Sequence, residues 1–145
     1  MPQTVEELIE FIDLLAEKNE EVPIIVEGRN DVYGLRSLGF RGEIHSLNHG
    51  KSLLQRVEEI SADSKEMIVL PDFDRKGVAL KDTVKRYVEG MGKTANIYYW
   101  NRIRSFRLVA CIEDLPKAVE RCIISSGMGK TIKRHTILQG IGIKH

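Results

Sequence analysis

Two short unbroken apolar runs, Val22-Pro23-Ile24-Ile25-Val26 and Met67-Ile68-Val69-Leu70, constrain the fold more than anything else in the chain. A strand with one wet face alternates apolar and polar residues. A run that is apolar throughout has to be covered on both faces, as strands of a parallel sheet are. Outside these runs the apolar period lengthens to that of helices. Val5, Leu8, Ile9, Ile12 and Leu15 form one amphipathic stripe, with Thr4 and Glu7 as a capping box at its start. Helical patterns also cover residues 31–38, closed by Gly39, then Leu53 to Ile60, and Leu80 to Met91 with Gly90 and Gly92 at the end. Leu115, Ala118, Val119, Cys122 and Ile123 mark a last helix, with Pro116 tolerated in its first turn. Further strands are expected around Ile44, from Ala95 to Trp100, and from Phe106 to Ile112. This alternation argues an α/β fold, a central, mainly parallel sheet with helices on both faces.

The 145 residues suit one domain, large enough to bury a core without disulfides or oligomerisation. With 42% hydrophobic and 30% charged residues, the chain is neither disordered nor low-complexity. Cys111 and Cys122 are too few for a disulfide scaffold and are expected in the core. No stretch approaches the ~20 apolar residues of a membrane span, so a soluble, cytoplasmic protein without a membrane partner is expected. Residues 1–20 read as a helix packed on the domain, 21–124 as the domain itself, and 125–145 as a basic tail. The tail follows Ser125-Ser126-Gly127-Met128-Gly129-Lys130, which breaks the last helix. Net charge is −6 over residues 1–21, +1 over 22–100 and +6 over 101–145, a gradient that suits either a polyanionic partner or a solvated tail. The acidic helix and basic tail could pair within one chain or between two, which leaves a homodimer or protein complex open.

Both apolar runs end in carboxylates. Glu27-Gly28 follows the first; Pro71-Asp72-Phe73-Asp74 follows the second. Asp and Glu are poor strand formers, so local propensity does not account for them. On extended backbone, residues two apart point the same way, so Asp72 and Asp74 can face one site. In open α/β sheets ligands gather beyond the strand C-termini where strand order reverses. If the two runs are neighbours there, Glu27, Asp72 and Asp74 converge. Converging carboxylates repel unless a cation intervenes, and a hard divalent ion such as Mg²⁺, or Mn²⁺ in its place, suits them. The plainer reading is that Asp72 begins a turn and Asp74 caps the next helix.

At these residues, Ile25-Val26-Glu27-Gly28-Arg29-Asn30-Asp31 and Leu70-Pro71-Asp72-Phe73-Asp74-Arg75-Lys76-Gly77, the chain resembles the Toprim domain of topoisomerases, bacterial-type primases and related nucleases. The resemblance covers roughly residues 21–122 and is strongest to small stand-alone Toprim proteins of archaea. It implies a Rossmann-like fold that uses Mg²⁺ to act on nucleic-acid phosphodiester bonds, DNA or RNA. By that resemblance Glu27 is the acid/base group and shares in metal binding, with Asp72 and Asp74 as metal ligands. The expected function is a metal-dependent nuclease or RNA/DNA-processing enzyme. The alternative is a non-catalytic nucleic-acid-binding or assembly subunit of a repair, replication or RNA-processing complex. Pro71 departs from an ordinary strand residue, since it removes a donor just before the motif.

Arg29, Arg75 and Lys76 flank the acids and are candidates for phosphate contacts or for plain charge balance. Lys51, in Gly50-Lys51-Ser52, could reach a phosphate at a helix start, but His45 stands where a Walker A loop needs glycine. Tyr98-Tyr99-Trp100 followed by Arg102, Arg104 and Arg107 mixes aromatics with guanidinium groups, as single-strand binding surfaces do. Alternate members of a strand face inward, so core packing accounts for the aromatics better; Arg102 and Arg104 stay candidates for tracking phosphates. A haloacid-dehalogenase-type phosphatase also uses Asp-x-Asp, but on its first strand and without a Lys two residues on.

Overall fold

The computed structural model describes residues 4–127. The chain alternates helices and strands: α1 (Val5–Asn19), β1 (Ile24–Val26), α2 (Arg29–Ser37), β2 (Ile44–Ser46), α3 (Leu53–Ser61), β3 (Glu66–Val69), α4 (Arg75–Gly90), β4 (Thr94–Asn96), α5 (Tyr98–Phe106) and α6 (Leu115–Ser126). A 3-10 turn over Ile112–Asp114 leads into α6. The four strands form one sheet in the order β2-β1-β3-β4, and every pairing is parallel. Ile24 sits opposite both Ile44 and Ile68, and Met67 of β3 sits opposite Ala95 of β4, so β1 and β3 are the interior strands.

The unbroken apolar runs are explained by what covers them. Ile24, Val26, Ile68 and Leu70 belong to a core shared with α1, α2, α5 and α6. Their alternates Ile25, Met67 and Val69 belong to a second core with Val57 and Ile60 of α3 and Val84 and Val88 of α4. Each interior strand is therefore dry on both sides, as its composition requires. The acidic first segment adds Leu8, Ile9, Phe11, Ile12 and Leu15 to the larger core while Glu6, Glu10 and Glu17 stay exposed. Thr4 Oγ1 accepts from the Glu7 N–H at 3.0 Å, the expected cap.

Asn19 ties the end of α1 to the sheet. Its side chain is 1% exposed; Nδ2 donates to the carbonyls of Val22 and Glu43, and Oδ1 accepts from the Gly42 N–H.

Two expected strands are corrected. The run from Ala95 to Trp100 is strand only as far as Asn96, whose Oδ1 accepts from the Tyr98 N–H at 3.0 Å and turns the chain into α5. An Asx turn of this kind overrides the β preference of Tyr-Tyr-Trp. No strand forms between Phe106 and Ile112. Arg107 ends α5 in the left-handed region at φ 55°, and the segment then crosses to the end of β3, where the Ala110 carbonyl accepts from the Phe73 N–H. Cys111 and Cys122 are half-buried rather than in the core. Helix α6 runs through Ser126 and closes on Gly127; the rest of the basic tail lies outside the described residues. Among the described residues no helix is long and apolar enough to cross a membrane.

Candidate metal centre

Strand β1 is followed in sequence by β2 on one side of it and pairs with β3 on the other, so strand order reverses between β1 and β3. Both acid motifs stand at that switch point. Glu27 leaves β1 half-buried and its Oε2 accepts from the Asp72 N–H at 2.8 Å, across 45 residues of sequence. Asp72 follows β3 by three residues, and its Oδ1 accepts from the Ile112 N–H at 3.0 Å. The structure thus brings Glu27 and Asp72 together. Burial pushes the Asp72 carboxyl up to about 6; the Ile112 N–H works against this, while the Glu27 carboxyl and the Asp74 charge add to it.

Asp74 has a different use. It is the N-cap of α4, and its Oδ1 accepts from the Gly77 N–H at 2.7 Å. Its charge still reaches Asp72, but its side chain is exposed beside the cleft rather than in its wall. Gly77 is needed for this turn: a Cβ there would lie 1.9 Å from the Asp72 carbonyl oxygen.

The acids open into a cleft of about 680 Å³, lined by Glu27, Arg29, Asn48, Asp72, Lys76 and Glu113 among others. Arg29 and Lys76, exposed in the first turns of α2 and α4, stand in its wall as cations beside the acid pair. Arg75 is exposed at the start of α4 and is not part of that wall. Lys51 turns away to pair with Glu59 of α3. Arg102 and Arg104 lie on α5, outside the cleft; the Arg102 guanidinium is 5.1 Å from the Phe106 ring and that of Arg104 5.1 Å from the Trp100 ring.

Two cleft acids escaped the sequence reading. Asp31 is 6% exposed; its Oδ2 accepts from the Gly28 N–H at 3.0 Å, and burial raises its pKa, with Asp72 and Glu113 adding to the rise. The signal for Asp31 was present, a Gly helix cap followed three residues later by an acid. Glu113 reaches the cleft from the 3-10 turn, for which the sequence holds no local sign. Among the described residues, Cys111, Glu113 and Asp114 also bring their ligand atoms within 4.8 Å of one another. The Cys111 thiol donates to Asp114, and that bond, with burial, pushes its pKa up to about 12. A thiol held protonated is a poor metal ligand.

Comparison with known proteins identifies the family and the fold. The Toprim domain model matches residues 22–100, the span from β1 into α5. A UPF0292 protein of Thermoplasma volcanium is 47% identical over 104 residues, 72% of this chain and 87% of that protein. A UPF0292 protein of Thermococcus kodakarensis is 34% identical over 116 residues, 79% of this chain and 84% of that one. A solved structure of a protein from Aquifex aeolicus superposes with a TM-score of 0.67 at 24% identity, over 74% of this chain and 96% of the other, a likeness of fold. The chain belongs to the Toprim domain family and is related within it to the small UPF0292 proteins of archaea.

Proposed function

We propose that this chain is a divalent-metal-dependent enzyme acting on nucleic-acid phosphodiester bonds, a nuclease in its simplest form. The observation that carries the reading is the meeting of Glu27 and Asp72 at the switch point of the sheet, in an open cleft with Arg29 and Lys76 in its wall. An oxygen-only donor set that repels itself when empty fits a hard cation, Mg²⁺ or Mn²⁺. Asp72 and Glu27 would hold the ion, with Asp74 close enough to add charge or a water-mediated contact. The ion supplies Lewis acidity at a phosphate oxygen. Glu27 would move a proton between the attacking or leaving oxygen and solvent. Arg29 and Lys76 would draw the phosphate into the cleft and fix its orientation.

The test uses labelled single- and double-stranded DNA and RNA with Mg²⁺, Mn²⁺ or chelator, alongside the Asp72→Asn variant. Cleavage that needs metal and falls at least about a hundredfold in the variant is the expected result. Salt-sensitive binding that ignores both metal and mutation would instead establish the non-catalytic, nucleic-acid-binding reading.

A further inference from the structure

Trp100 is the chain's one tryptophan and is fully buried. Its position is unusual for a packing residue. It is the third residue of α5, the helix that follows β4, and it reaches across the end of the neighbouring strand β3. Its Nε1–H donates to the Pro71 carbonyl at 2.9 Å and lies 3.3 Å from the Asp72 carbonyl. The Leu70 N–H bonds to the Ile25 carbonyl on the β1 side, whereas on the other side β4 ends at Asn96, opposite Ile68, and falls short of the buried Pro71 carbonyl. The indole satisfies that carbonyl instead.

The ring is itself clamped. Phe73 lies against it at 5.5 Å between centroids, and the Lys81 ammonium and Arg104 guanidinium stand 4.3 and 5.1 Å from the ring. Asp72 is consequently held at three groups at once. Its N–H goes to Glu27, its carboxylate receives the Ile112 N–H, and its carbonyl meets Trp100. Gly77 closes the remaining side, since any Cβ there would collide with the same carbonyl.

We propose that Trp100 is a positioning residue for the acid pair: its indole N–H fixes the Pro71-Asp72 turn that sets the Asp72 amide on Glu27. This goes beyond the assignment of metal ligands, because it makes a helix outside the acid motifs responsible for their register. Partners that orient ligands in this way are commonly worth 10- to 100-fold in metal affinity.

The test replaces Trp100 in the full chain with benzothienylalanine, which keeps the ring system and puts sulfur where the N–H was. Ile103→Val, a buried change on the same helix, is the packing control. Two quantities are measured, amide exchange in metal-free protein and the Mn²⁺ dissociation constant. Exchange of the Asp72 amide should speed up at least about tenfold in the sulfur analogue, with Ile68 and Val69 unchanged, and the Mn²⁺ constant should rise about tenfold. Ile103→Val should move neither. An unchanged Asp72 amide, or equal acceleration at all three amides, overturns the proposal whatever Mn²⁺ does. The exchange arm needs no metal, whereas the Mn²⁺ arm rests on the metal-site reading. Absence of Mn²⁺ binding in the unmodified protein sinks that reading and leaves the Asp72 amide to decide the role of Trp100.

Discussion

At the scale of single residues, Asp72 carries the most consequential chemistry. Its folded pKa of about 6 lies above its ordinary value of 3.8, because burial and Glu27 disfavour the charged form. The folded protein therefore holds more protons than the unfolded chain between those values. Metal-free stability must fall as pH rises through that window and stay low above it. The full shift is worth about 3 kcal/mol. Asp72 is partly exposed at the cleft, and solvent screening there reduces the usable effect to on the order of 1 kcal/mol. Asp72→Asn should then melt higher than the unmodified protein at pH 8 without metal, and equal to it near pH 4. Because a cation competes with the same proton, Mg²⁺ affinity should weaken steadily as pH drops below about 6. Calorimetric titration with Mg²⁺ at pH 5 and pH 8 checks this; equal affinities would contradict it.

At the scale of elements, what the sequence disclosed depended on how local the determinant was. Strands β1 and β3 were legible because continuous apolar runs ending in acids leave few alternatives. Helix α1 was legible from its stripe and cap. The β4–α5 boundary was not, because Tyr98, Tyr99 and Trp100 favour strands and one Asn96 hydrogen bond decides otherwise. The division of labour between Asp72 and Asp74 was open for the same reason. Spacing allows both to face a site, and only the Gly77 N–H shows that one is a helix cap. Glu113 and Trp100 act across about 30 to 90 residues of chain, beyond any periodicity. Asn19 shows how much such a distant contact can hold. Removing it would strand the Gly42 N–H and the Val22 carbonyl and leave the Glu43 carbonyl with the Ile24 N–H alone, at the junction of α1, β1 and β2. Asn19→Ala should cost about 2–4 kcal/mol by urea unfolding, with an unchanged slope. A cost under about 1 kcal/mol would mean that water replaces all three bonds.

At the scale of the whole molecule, charge is unevenly arranged among the described residues. The exposed acids Glu6, Glu10 and Glu17 cover the outer face of α1, and Arg29 and Lys76 stand in the wall of the cleft at the strand ends. The cleft acids alone would repel phosphate, so the proposed binding there would depend on these two cations and on a bound divalent ion. That dependence can be measured through salt. Each phosphate neutralised contributes about 0.7 to 0.9 to the slope of log affinity against log salt concentration. Arg29→Ala and Lys76→Ala should each lower the slope for a short oligonucleotide by about 1, measured with Mg²⁺ present. Lys51→Ala should leave it unchanged, since Lys51 is committed to Glu59. The reverse pattern, with Lys51 counted and the cleft pair silent, would move the nucleic acid toward α3 and away from Glu27 and Asp72.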